Sequence, residues 1–157
     1  MTETSEIFQI TLKEYFEFCA ELMDIGYDEN FTEHDGSAIR DAISLLPLFS
    51  GLIMDKFIGA DDFWIDAYRR DLSFFEKDFS QLLSGTSIDL NVIKTPILKY
   101  IDFKNGKIHS CPFNDDDVKF MWDYLSALIK HATRHVEKNV TLYPSFPLSK
   151  VKSLFEI

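Results

Sequence analysis

The fold is decided by the stretch from Asn114 to Asn139, NDDDVKFMWDYLSALIKHATRHVEKN. Its apolar residues recur every three or four positions, which is the spacing of one buried face on an α-helix. They are Val118, Met121, Trp122, Leu125, Ile129, Ala132 and Val136. Three aspartates follow Asn114, and basic residues lie in the last turns, so the charges suit both ends of the helix dipole. This stretch predicts a long helix over about 115–138.

The same spacing predicts a helix near the amino terminus. Thr11 and Glu14 fit a capping box, and the apolar residues that follow indicate a helix from about Leu12 to Ile25. Gly26 then supplies a stop signal.

Three further helices are predicted between and after these two. Asp35-Gly36-Ser37 resembles a turn that leads into a helix over about 38–57, which Pro47 should kink or divide. A wide apolar face indicates a long helix from Asp61 or Asp62 to Gly85, and a short last helix is expected over about 149–155.

One small β-hairpin is also expected. Asn105-Gly106 lies between two short runs of mixed apolar and polar residues, and this dipeptide favours the tight turn of a hairpin over about 98–112. No glycine-rich or proline-rich linker divides the chain. The predicted fold is therefore mainly α: a compact single-domain bundle of about five helices over residues 1–157, with one hairpin.

Composition places the chain among globular proteins, since 46% of its 157 residues are hydrophobic. The first residues lack the basic and apolar segments of a secretory signal, so we expect a cytoplasmic protein. The longest charge-free stretch, Ala42–Met54, is interrupted by Pro47 and Gly51 and is shorter than a membrane span. We expect it to be a buried core helix and expect no membrane association.

Catalytic and cofactor motifs are not recognisable in the sequence. The six glycines are scattered and form none of the glycine-rich phosphate loops. Cys19 and Cys111 are isolated, which predicts packed, reduced thiols rather than a disulfide or a zinc knuckle. We therefore expect no cofactor, and a non-enzymatic role is favoured.

A metal-dependent enzyme is nevertheless one alternative. His131 and His135 are four residues apart, so both imidazoles lie on one face of the predicted helix, beside Phe120 and Tyr124. Two ligands do not make a site, and a third would have to come from elsewhere in the fold. We expect these histidines to form part of a half-buried aromatic flank and to bind no metal. The same flank suggests another alternative, a self-associating adaptor or structural subunit.

The charge distribution is uneven. Residues 1–36 contain ten acidic residues and one basic residue, a net charge of −9, whereas the whole chain has −10. Five of these acids follow one another at steps of three or four, which stacks them along one side of the first helix. We call this set the acidic ridge: Glu14, Glu17, Glu21, Asp24 and Asp28.

Two interpretations of the acidic ridge remain open. Acidic faces are common on soluble proteins, so the ridge could serve solubility alone. Alternatively, it is a docking surface for a basic protein, because complementary charge accelerates association and selects the partner. The candidate partner-binding residues are Glu14, Glu17, Glu21, Asp24, Asp28, Glu29, Phe31, Glu33 and Asp35. Phe31 would be an apolar anchor, unless it belongs to the core.

Direct nucleic acid binding is disfavoured, because phosphate contacts require a basic surface. The sequence favours a non-enzymatic acidic protein that neutralises a basic partner, in the manner of an immunity protein for a nuclease toxin or of a DNA-mimic inhibitor. Tyr143-Pro144-Ser145 is similar to a Tyr-Pro-Ser stretch in the colicin DNase immunity proteins. The length of the chain and the predicted hairpin depart from that family.

Overall fold

α-Helices account for most of the part of the chain that the computed structural model describes, namely residues 3–25, 31–61, 67, 69–80 and 82–155. The α-helices are α1 (Glu3–Ile25), α2 (Glu33–Leu45), α3 (Ser50–Gly59), α4 (Lys94–Lys104), α5 (Asp115–Lys138) and α6 (Leu148–Phe155). Short 3-10 segments occupy Leu46–Phe49, Leu72–Glu76, Leu90–Ile93 and Val140–Leu142. The predicted mainly α bundle is confirmed.

The two longest helices, α1 and α5, pack against each other in antiparallel orientation. Near the start of α1, the Thr4 hydroxyl lies 2.8 Å from Nδ1 of His135, close to the end of α5. Further along, the Tyr15 ring stacks on the Tyr124 ring, with centroids 5.6 Å apart. This pair of helices forms the framework on which the other helices pack.

Helix α5 has the bounds that the sequence predicts. The Asn114 side chain accepts hydrogen bonds from the backbone N–H groups of Asp116 and Asp117, and the Asp117 carboxylate accepts one from the Asn114 N–H. This capping box satisfies backbone donors that a helix start leaves unpaired. The predicted apolar face is buried, with Met121 and Ile129 fully inaccessible to solvent.

Helix α1 begins earlier than predicted. It starts at Glu3 rather than at Leu12, so Thr11 lies inside the helix and does not cap it. The physical reason is that the buried face continues upstream through Phe8, which is fully buried, and Thr4, which contacts α5. Tertiary burial therefore extends the helix across the predicted start signal.

The second predicted helix is divided at Pro47, as expected. Helix α2 ends at Leu45, the 3-10 segment with Pro47 follows, and α3 continues from Ser50. The expected turn at Asp35-Gly36-Ser37 is wrong, however. Thr32 caps α2 in a capping box with Asp35, so Gly36 lies within the first turns of the helix.

The predicted long helix from Asp61 or Asp62 to Gly85 is wrong from residue 67 onward; Asp61 is helical, and residues 62–66, 68 and 81 lie outside the described residues. The Asp71 carboxylate accepts a hydrogen bond from the Ser73 N–H at 3.0 Å, and the Asp78 carboxylate accepts one from the Ser80 N–H at 2.9 Å. Such short side-chain bonds compete with helical backbone bonds and break the segment into turns.

The apolar residues of this segment are buried even so. Phe75 lies with its ring centroid 4.9 Å from that of Trp122 on α5, and Phe74 and Phe79 surround Phe75. All three phenylalanines are almost inaccessible to solvent. The 3-10 turns thus bury the residues that a helix was expected to bury.

The predicted hairpin around Asn105-Gly106 is also wrong, because this dipeptide ends helix α4. The Lys107 N–H donates to the Asp102 carbonyl at 2.9 Å, and the Gly106 N–H donates to the Phe103 carbonyl at 3.1 Å. This pair of bonds is the Schellman motif, in which a glycine takes a positive φ just after the helix. Gly106 has φ +74°, and no β-strand flanks it in the described chain.

The charge-free stretch Ala42–Met54 is only partly buried. Leu46, Ile53 and Met54 belong to the core, whereas Leu48 is 72% exposed and Leu52 is 40% exposed. Within Glu33–Gly59, one window of mean hydropathy 1.5 is long and apolar enough to cross a membrane by length and composition, and 28% of it is buried. The expectation of a buried core helix is therefore wrong for the outer face of this segment.

Candidate functional site

The described part of the acidic ridge lies on the exposed side of α1. Glu14, Glu17, Glu21 and Asp24 are all exposed to solvent, and the opposite side of the helix is buried against the core. The fifth member, Asp28, lies outside the described residues, as does the candidate Glu29. The helix therefore aligns at least four carboxylates on one surface.

Few cations compensate these carboxylates. The Lys13 Nζ atom lies 3.7 Å from an Oε1 atom of Glu17, and an Arg40 guanidinium nitrogen lies 3.9 Å from Asp24. Both pairs are exposed, so each contributes little to stability. Among the described residues, no cationic side chain forms an ion pair with Glu14 or Glu21. The surface of α1 therefore has a net negative charge.

Three aromatic rings lie at the seam between α1 and α5. The Phe18 ring centroid is 6.0 Å from that of Phe120 and 5.7 Å from that of Tyr124. Phe120 is 55% exposed, and the other two rings are partly buried. We call Phe18, Phe120 and Tyr124 the aromatic strip.

The sequence pattern predicts Phe120 and Tyr124 as a flank but does not single out Phe18. The signal that could have identified Phe18 is its position in the sequence, four residues after Glu14 and three before Glu21. At this spacing its side chain projects from the same side of α1 as the ridge rather than from the centre of the buried face. The sequence therefore contained a signal for Phe18, namely an aromatic residue at helical spacing between two carboxylates.

The acidic ridge and the aromatic strip are electrostatically coupled. Burial raises the pKa of the Tyr124 phenol, and the carboxylates of Glu14 and Glu21 raise it further. Glu14 and Glu21 are four residues before and three residues after Phe18 on the same side of α1, which places these carboxylates beside the strip. The two features therefore form one surface of aromatic rings bordered by carboxylates.

The remaining candidates of the acidic segment have different roles. Phe31 is 2% exposed and stacks on Phe113, with centroids 6.5 Å apart, so it is a core residue and not an accessible anchor. Glu33 is exposed on the first turn of α2. The Asp35 carboxylate accepts a hydrogen bond from the Thr32 N–H at 2.9 Å, which ties it to the helix cap.

His131 and His135 belong to the flank of the bundle. His135 is buried, contacts the Thr4 hydroxyl and packs edge-on against Tyr143, with centroids 5.8 Å apart. Burial lowers the pKa of both histidines, which favours neutral imidazoles. In the described chain, no group of three His, Cys, Asp or Glu side chains is placed to hold a metal ion. That the protein binds no metal stays a prediction.

The two cysteines are free thiols, as the sequence predicts. Cys19 is buried in the core, and burial raises its thiol pKa far above the ordinary value. Cys111 is partly buried, and burial raises its pKa as well. Because the thiolate is the reactive form, neither residue has the environment of a catalytic cysteine.

Comparison with known proteins adds no assignment to this surface. No protein-family model, curated protein or solved structure matches the chain.

Proposed function

We propose that this protein is a non-enzymatic acidic binding protein that neutralises a basic protein partner, in the manner of an immunity protein for a nuclease toxin or of a DNA-mimic inhibitor. The observation that supports the proposal is the exposed row of carboxylates on α1, of which Glu14 and Glu21 have no ion-pair partner among the described residues. A surface of this kind attracts a basic partner over a distance and repels acidic competitors.

Stability alone does not account for the ridge. Like charges three or four residues apart on a helix cost about 0.2–0.5 kcal/mol per pair. Asp24 also lies next to the carboxyl end of α1, where the helix dipole disfavours a negative charge. A surface that opposes folding is consistent with a role in binding.

The test compares a ridge variant with a matched control. The ridge variant carries Glu14→Gln, Glu17→Gln, Glu21→Gln and Asp24→Asn, and the control carries amide replacements at Asp41, Glu76, Asp102 and Glu137. Both variants lose four negative charges, but the control loses them at scattered positions. Each protein is immobilised as bait, and basic proteins are captured from the native host.

We expect one basic protein to be retained by the parent and the control but not by the ridge variant. Its association rate with the ridge variant should fall about tenfold at low salt, since electrostatic steering is lost. The difference should shrink at physiological ionic strength, where the screening length is about 8 Å. The folded structure should persist, because the substitutions relieve repulsion on an exposed face.

Equal association rates for the ridge variant and the parent at low salt would contradict the proposal. Equal losses in the ridge variant and the control would contradict it too, because the net charge alone would then explain binding. In either case the ridge would be a solvated face.

A further inference from the structure

The aromatic strip exposes a ring surface at the seam between α1 and α5, beside the acidic ridge. Phe120 is 55% exposed although it packs edge-on against Phe18. In the part of the chain that the structure describes, more than half of this large aromatic ring is open to water where two helices meet. Aromatic residues, phenylalanine included, are enriched at protein interfaces relative to the rest of the protein surface.

Carboxylates border this ring on both helices. On α1, Glu14 is four residues before Phe18 and Glu21 is three residues after it, so both lie on the same side of the helix as its ring. On α5, Asp116 and Asp123 are four residues before and three residues after Phe120, so both lie on the same side of the helix as its ring. Asp123 forms an ion pair with Arg70 at 2.9 Å, whereas Asp116 is exposed at the amino end of α5.

This charge pattern favours some binding partners of the aromatic strip over others. The face of an aromatic ring is negative, so ring and carboxylates together attract a cation. A second copy of this chain would bring two sets of carboxylates together, and such like-charge contact is unfavourable. An anionic lipid surface would be repelled for the same reason. The complementary occupant is a basic side chain.

Resting on the proposed function, we propose that the aromatic strip is the anchoring point for an arginine side chain of the basic partner, stacked on the Phe120 ring and paired with the surrounding carboxylates. Arginine fits better than lysine because its planar guanidinium stacks on aromatic rings and forms two parallel hydrogen bonds with a carboxylate. Lysine offers a compact, strongly hydrated charge instead.

The probes are three short peptides that alternate one residue with alanine: arginine, lysine or citrulline. Citrulline has the shape of arginine without its charge. Binding of each peptide is measured by titration calorimetry at low salt with the parent, Phe120→Ala, Phe120→Leu and the ridge variant. Leu142→Ala is the matched control, because Leu142 is 68% exposed and lies away from the strip in the chain.

We expect the parent to bind the arginine peptide more tightly than the lysine peptide and to show no binding of the citrulline peptide. Phe120→Ala and Phe120→Leu should each weaken arginine binding about two- to fivefold, the equivalent of a cation–π contact at an exposed site. Leu142→Ala should bind like the parent. Thermal unfolding of every variant confirms that the fold is retained.

Several results would overturn the inference. The anchoring role fails if the parent does not bind the arginine peptide, or if Phe120→Leu binds it like the parent, since an apolar side chain would then suffice. If Phe120→Ala keeps full affinity while the ridge variant loses it, the anchor is wrong and the proposed function survives. If the ridge variant also keeps full affinity, the proposed function fails as well. A dimer in sedimentation that Phe120→Ala dissolves would assign the strip to self-association instead.

Discussion

Replacing Gly106 by alanine should lower the free energy of unfolding by about 1 kcal/mol. Gly106 has φ +74°, and an added Cβ would meet no heavy atom within 4 Å, so the backbone conformation alone determines the effect. A non-glycine residue in this left-handed region is disfavoured by about 1–2 kcal/mol. Alanine also reduces the conformational entropy of the unfolded chain, which raises the free energy of unfolding by about 0.4–1 kcal/mol. The two effects together leave a moderate decrease in the free energy of unfolding.

Gly51 provides the matched control. It lies in the first turn of α3, its φ is not positive, and an added Cβ would again meet nothing within 4 Å. Gly51→Ala should therefore raise the stability by about 0.5 kcal/mol, because alanine favours a helix over glycine. The two substitutions are identical in chemistry and opposite in expected sign.

Urea and thermal unfolding followed by circular dichroism measure both effects. For a chain of this size, 1 kcal/mol corresponds to about 2–4 °C in the midpoint temperature. If Gly106→Ala proves as stable as the parent, the positive φ and the Schellman end of α4 are wrong. Carbon chemical shifts of residues 99–111 provide the second readout: helical shifts should end at Lys104, and extended shifts on both sides of Gly106 would restore the hairpin.

Three further predictions concern buried or capping groups. Tyr15→Phe should raise stability by about 1 kcal/mol in urea unfolding, because no described residue pairs with the buried Tyr15 hydroxyl; a loss of that size would show that the hydroxyl has a partner. Burial lowers the pKa of His135 in the folded protein. The free energy of unfolding should therefore be at its full value above about pH 6.5, the pKa of histidine in the unfolded chain, and should fall as the pH drops below it. That slope should be shallower in His135→Gln than in the parent, and an unchanged slope would assign the effect to another group. Asn114→Ala removes the side-chain cap of α5 and should destabilise by about 1 kcal/mol in the same assay, whereas no change would mean that water replaces the cap.

The sequence was sufficient to predict the structure where several local signals favoured the same conformation. Helix α5 has a cap, an apolar period and end charges that all favour one conformation, so its bounds were predictable. The exposure of the ridge was predictable as well, because four carboxylates opposite an apolar face must face the solvent when that apolar face is buried. Pro47 likewise predicts a helix break from its own covalent structure.

Signals that fit two conformations could not be resolved from the sequence. A positive φ at Gly106 suits both a hairpin turn and a helix end. The choice was made by burial, because Ile97 and Tyr100 pack into the core at helical spacing. In the segment before Gly85, apolar spacing favoured a helix, but Asp71 and Asp78 bond to neighbouring backbone N–H groups, and the phenylalanines reach the core from 3-10 turns instead.

The sequence by itself determined the composition of the candidate surface: its carboxylates, their period along α1 and the aromatic residues near them. Only the tertiary structure decided which aromatic residues belong to it. The antiparallel packing of α1 on α5 places Phe18 against Phe120, while the same fold withdraws Phe31 into the core. Periodicity along one helix specifies a face, but contacts between residues far apart in the chain depend on how whole helices pack, and no local pattern encodes that.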